Sequence, residues 1–237
     1  MRKNSSRLAE IFQIFQKHNP NPKSELIFAN IFQLFVATVL SAQTQDKAVN
    51  KVTEKLFPLI PSPQDLLNLG EEKLQKMIAS LGLSNRKAKN LTQACEILVR
   101  DFQGEIPSAK EQLENLPGVG KKTAAVILNL GFGKTTLAVD THVKRVSQRL
   151  KITTETRPEK IELDLLPRIK KEFQFFAHHW LILHGRYICL ARKPKCDQCF
   201  LRSLCPSAGK EEKAKGKNKN KGEEKTNRTS GAEKLKS

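Results

Sequence analysis

The sequence predicts an all-α protein, and three observations carry that expectation. Apolar residues recur at helical spacing through most of the chain, as in Leu8, Ile11, Phe12 and Phe15. Proline and glycine fall between these runs, at Pro58, Pro61, Pro63, Gly70, Gly82, Gly104, Pro107, Gly118 and Gly120, where they stop one helix and allow the next to start. No run shows the sustained two-residue alternation of a half-buried strand, so β-structure should be minor.

Taken in order, the first helix is expected around residues 8–15. Leu26 to Ala42 is the most apolar segment, broken by Asn30 and Gln33. It is shorter than the roughly 20 residues a membrane span needs, so a buried core helix is expected and no membrane partner. Helices follow near 45–57, 63–68, 71–80, 86–101, 109–115, 121–131, 141–150, 158–172 and 174–184. After Pro206 the chain turns to Lys, Glu, Gly and Asn with one large apolar residue, Leu235. Residues 207–237 cannot bury enough surface to offset their ordering entropy. They are expected to form a basic, disordered tail that adds weak, salt-sensitive affinity for DNA.

Charge points to the partner class. The chain has 42 Lys and Arg against 24 Asp and Glu, a formal net charge of +18. The tail holds ten Lys/Arg and five Glu, which leaves +13 on residues 1–206. Such an excess favours a polyanion through counterion release and steered association. Met1 to Ser6 lacks the apolar run of a secretory signal, so an intracellular setting (cytoplasm or nucleoid) is expected. Structural disulfides are then not expected from the five cysteines.

Leu116-Pro117-Gly118-Val119-Gly120-Lys121-Lys122-Thr123 reads as two helices joined by a hairpin. Pro117 stops the first helix, and Gly118 and Gly120 permit positive φ and close backbone approach. The free N–H groups at the start of the next helix make an anion site suited to a DNA phosphate. A Walker loop is excluded, because it would need glycine at Leu128 or at Asn115. Lys122 lies in the first turn beside Lys121, where dipole and like charge both disfavour an ammonium. It can therefore serve as an amine nucleophile, or simply hold a phosphate as Lys121 should. Asp140, in Val139-Asp140-Thr141-His142, reads as a helix N-cap, and a rigidly held capping carboxylate also suits a general base or a charge stabiliser.

Four cysteines are spaced Cys189-x6-Cys196-x2-Cys199-x5-Cys205. Four thiolates within so short a run call for a metal, and the spacing leaves both zinc and an iron–sulfur cluster open. Arg192, Lys193 and Lys195 sit between the first two ligands, so the metal would brace a basic loop able to meet phosphate. Cys95 lies in a helical pattern and reads as a buried small hydrophobe. His178, His179 and His184 lie in an apolar helix and read as packing groups.

In this order, the hairpin, Val-Asp-Thr-His, His-His-Trp-Leu-Ile-Leu-His-Gly-Arg-Tyr and the cysteine loop resemble the endonuclease III family, over about residue 5 to Pro206. The resemblance implies two helical domains flanking a DNA-binding cleft. Residues 25–134 would form a six-helix barrel carrying the helix-hairpin-helix. The N-terminal helix, within 1–24, would join residues 135–206 in an iron–sulfur cluster domain. Lys122 matches the Schiff-base lysine, Asp140 the catalytic aspartate, and the four cysteines the [4Fe–4S] ligands. Gln43 and Leu83 match residues that fill and wedge the gap left by a flipped nucleotide. The implied activity is a base excision repair DNA glycosylase with AP lyase activity. It would remove oxidised pyrimidines from damaged double-stranded DNA through a lysine Schiff base and cleave 3′ to the abasic site by β-elimination. A monomer is expected. The competing readings are a monofunctional adenine or thymine mismatch glycosylase, and a hairpin protein that binds DNA without chemistry.

Overall fold

The computed structural model describes the backbone of residues 2–209 and the side chains of residues 6–209. The expected tail falls almost wholly outside the described residues. Eleven α-helices, joined by short turns, make up the described fold: α1 (Arg2–His18), α2 (Ile31–Leu40), α3 (Asp46–Leu56), α4 (Pro63–Leu69), α5 (Glu71–Met77), α6 (Ser84–Phe102), α7 (Lys110–Glu114), α8 (Lys121–Phe132), α9 (Thr141–Arg149), α10 (Pro158–Leu165) and α11 (Lys171–Tyr187).

Local chemistry sets the boundaries. Asn30 accepts from Gln33 N–H and starts α2. Ser62 does the same for α4, with Pro63 in the first helical position. Gly70 ends α4 and opens α5 at a φ of 81°, so these two short helices form one bent unit. The expected helix over 158–172 ends earlier. Its apolar spacing continues, but Pro167 withholds an N–H, and Leu166–Arg168 tighten into a 3-10 turn before α11.

Two hydrophobic cores form. The first gathers consecutive sequence from Leu26 to Leu128, with Phe35, Leu56, Leu66, Leu91, Leu113 and Ile127 fully buried. Cys95 lies in it, as its sequence context suggested, and burial pushes its thiol up to about 12. The second core draws Ile11, Phe12 and Phe15 of α1 against Val143, Phe173, Trp180 and Leu181. Phe15 stacks on Trp180, whose indole N–H donates to the Asn19 carbonyl at 2.8 Å. Helices α9 and α11 cross closely at Gly185, where a Cβ would stand 2.8 Å from that of His142. Arg186 and Tyr187, at the end of α11, tie the two cores together. The guanidinium donates to Glu25 and Asp46, and the Tyr187 hydroxyl donates to Glu25.

Candidate active site and cluster loop

The hairpin between α7 and α8 is seated against α2 and α6. Gly118 has a φ of 82°, and a Cβ there would approach Asn90 Cβ to 3.1 Å and Val39 Cγ1 to 3.2 Å. Glycine is needed here for conformation and for space together. Gly120 differs from expectation. Its φ of −99° is extended backbone open to any residue, and nothing lies within 4 Å of a Cβ placed there. It caps α8 with no side chain, so the N–H groups of the first turn remain without a capping oxygen from it.

Lys122 is the second residue of α8. Its Nζ lies 3.5 Å from Asp140 Oδ2; the lysine side chain is 53% exposed and the aspartate 10%. Asp140 caps α9, and its Oδ1 accepts from the N–H groups of His142 and Val143, each at 2.8 Å. One oxygen is thus committed to the backbone while the other faces the amine. Burial pushes the Asp140 carboxyl up. The Val143 N–H bond and then Lys122 outweigh it, and its pKa lies below the usual carboxylate value. His178 adjoins this pair. Burial and then His179 push it down to about 3, so it is neutral.

These groups line a cleft of about 1290 Å³ between the two cores, whose lining also includes Gln43, Thr44 and Arg186. Gln43 is exposed, with a left-handed φ of 55°. Leu83 also takes a left-handed φ, 63°, and is 53% exposed, but it stands outside the cleft lining on the turn before α6. Lys121 points away from the cleft and sits 3.8 Å from Glu159.

The cysteine loop leaves α11 with Cys189 N–H donating to the His184 carbonyl at 2.7 Å. Arg145 donates to the Cys189 carbonyl, and Arg149 to those of Leu190 and Ala191. Cys189, Cys196, Cys199 and Cys205 line one cavity of about 370 Å³. Around a single zinc ion, four thiolates would stand roughly 3.8 Å apart. Among the described residues no group of three His, Cys, Asp or Glu side chains converges to hold one ion. Four thiols around one cavity are the donor set of an iron–sulfur cluster. Burial pushes the Cys199 and Cys205 thiols up, and the other cysteines add to it, so four thiolates here need a cationic metal to neutralise them. Lys193 (φ 52°) and Lys195 flank this cavity, and Arg192 lies beside them; all three are exposed.

Sequence reasoning missed the Glu25–Arg186–Asp46 clasp and the nearness of His178 to Asp140. Glu25 and Arg186 are 161 residues apart, and no local spacing signals such a pair.

Residues 36–171 match the model of the HhH-GPD superfamily base excision DNA repair proteins, and residues 189–205 match the iron–sulfur binding domain of endonuclease III. Endonuclease III of Rickettsia conorii is 52% identical over 196 residues, 83% of this chain and 93% of that protein. The Escherichia coli K12 enzyme is 45% identical over 202 residues, 85% and 96% of the two chains. A trapped endonuclease III–DNA covalent intermediate superposes with a TM-score of 0.82 at 38% identity, covering 87% of this chain and 98% of that one. A thermostable thymine-DNA glycosylase superposes with a TM-score of 0.74 at 26% identity, covering 88% and 98%. With its hairpin, its cleft and its four-cysteine loop, this chain belongs to the endonuclease III family.

Proposed function

We propose that Lys122 and Asp140 are the catalytic pair of a DNA glycosylase and AP lyase acting on oxidised pyrimidines in duplex DNA. The observation that carries this reading is the 3.5 Å approach of Lys122 Nζ to the free oxygen of Asp140 on the cleft wall. A capped carboxylate cannot swing away, so Oδ2 stays available to take a proton from the ammonium or to face positive charge on the sugar. The neutral amine attacks C1′ as the base departs. Loss of the sugar-ring C1′–O bond then gives a Schiff base, which acidifies the C2′ proton. Its removal expels the 3′ phosphate by β-elimination. The neutral His178 adds no competing positive charge beside Asp140.

The protein binds DNA. Gly118, Gly120 and Lys121 are read as the phosphate grip at the hairpin, and Arg192, Lys193 and Lys195 as a second one. Gln43 and Leu83 are read as the pair that enters the stack when a nucleotide is flipped. Their exposed positions and left-handed backbones support this, because polar and apolar side chains in such conformations need a reason to persist. The cofactor is a [4Fe–4S] cluster. Cys189, Cys196, Cys199 and Cys205 would hold it, and when bound it ties the basic loop into one rigid unit.

The domain division at 25–134 and 135–206, with the N-terminal helix added to the second, is supported by the membership of the two cores. The reading takes the protein as an intracellular monomer. Among the described residues no helix is long and apolar enough to cross a membrane.

Borohydride trapping tests the chemistry. The wild-type protein should form a covalent complex with damaged duplex DNA, and Lys122→Ala should not. Trapping of the alanine variant at wild-type yield would remove Lys122 from the role.

A further inference from the structure

Lys87 is a buried cation that the chemistry above does not use. It lies in the first turn of α6 and is 4% exposed. A positive charge there opposes the helix dipole, and burial pushes its pKa down. No carboxylate among the described residues forms an ion pair with it; its Nζ donates to one hydroxyl, Thr44 Oγ1, at 2.7 Å. An apolar side chain of the same length would fill the site at lower cost. The ammonium therefore has a task other than packing.

Its connections indicate the task. Lys87 N–H donates to the Leu83 carbonyl at 2.9 Å, which fixes the turn carrying Leu83. On the other side, the Thr44 hydroxyl that Lys87 bonds reaches the Ala42 carbonyl at 3.3 Å. Ala42 and Thr44 flank Gln43, so this relay closes around the residue in the left-handed conformation. One residue thus holds Leu83 by its backbone and the Gln43 loop by its side chain. The two loops lie far apart in sequence, and this hydrogen bond couples them.

We propose that Lys87 is a positioning residue that sets the spacing between Gln43 and Leu83 so that both enter the DNA stack together. The inference rests on the reading of those two residues as the inserting pair. It predicts a defect confined to duplex DNA, because a single strand has no stack to be wedged open.

The test compares strand cleavage at an abasic site in a duplex and in a single strand of the same sequence. Lys87→Met removes the donor, and Lys87→Arg restores one. For Lys87→Met, the ratio of duplex to single-strand kcat/KM should fall by up to roughly 10²-fold, the scale a misplacement of about an ångström can reach. Lys87→Arg should recover most of it. Thr44→Val, which removes only the acceptor, should fall in the same direction and carries the test if Lys87→Met does not fold. Equal losses on both substrates, or no loss, would overturn the proposal while Leu83→Ala and Gln43→Ala remain selectively impaired on duplex. If those two variants show no duplex-selective loss, the inserting-pair reading itself fails and takes this inference with it.

Discussion

Asp140 holds two jobs on two oxygens, and substitutions can separate them. Oδ1 accepts two backbone N–H groups at 2.8 Å, and Oδ2 faces Lys122 at 3.5 Å. Asn keeps a side-chain oxygen for the cap and loses the charge; Ala loses both. Asparagine caps about as well as aspartate, whereas alanine at such a position costs about 1–2 kcal/mol. For a chain of this size each kcal/mol lowers Tm by about 2–4 °C, so Asp140→Ala should melt roughly 2–8 °C lower. Asp140→Asn gives up only the charge–dipole part, on the order of 0.3–1 kcal/mol, and should melt about 1–4 °C below wild type. Lys122 is half exposed and can be solvated when its partner charge goes, so its release adds little. Catalysis should behave differently. Loss of a preorganised charge at the reacting centre costs about 10²–10³ in rate, and both variants should show it equally. Thermal melts followed by circular dichroism, with single-turnover excision of thymine glycol from duplex DNA, read the two quantities independently. An asparagine variant that excises at wild-type rate would refute the catalytic role. One that melts as low as the alanine variant would refute the division of labour between the oxygens.

The hairpin glycines should respond unequally. Gly118→Ala meets both a left-handed φ and a Cβ contact at 3.1 Å, and should cost about 1–3 kcal/mol. Gly120→Ala has open space and ordinary φ and should be near neutral in melts, so the reverse ranking would show that the hairpin is seated otherwise. Acid should destabilise the protein before its carboxylates titrate. Burial pushes His178 down to about 3 and His179 to about 4, whereas the unfolded chain takes these protons near 6.5. Between those values the unfolded state binds more protons, so stability is complete above about pH 6.5 and falls as pH drops. The loss is roughly 2 kcal/mol per histidine at about pH 5. Urea unfolding at the two pH values checks it; a flat or opposite dependence would contradict burial of neutral imidazoles.

Much of the fold could be read in advance because helical periodicity reports which face of a segment is buried. Leu8, Ile11, Phe12 and Phe15 declared a stripe, and all four are in the second core. The same signal overran at Pro167, because apolar spacing continues through Leu165, Leu166 and Ile169 although the backbone bonds do not. Periodicity names a buried face and not its partner, so it could not say that α1 packs against α11. The hairpin and the cysteine loop were legible because their chemistry is local in sequence. The Arg186 clasp and the Lys87 tether were not, since each joins loops remote in the chain by one polar side chain. Gly120 shows the opposite error: glycine there suggested a special conformation, and the backbone has none.

The docking of α1 also bears on how the chain is made. The residues of the first core, from Leu26 to Leu128, are consecutive, so that domain can close while the remainder is still being synthesised. The second core cannot. Its opening helix must wait for Trp180, which binds a carbonyl 161 residues earlier, and the cysteines follow later still. Until then the apolar face of α1, with Ile11, Phe12 and Phe15, lacks the residues it packs against. The second core is therefore completed after the first, and α1 docks only when α11 has been made.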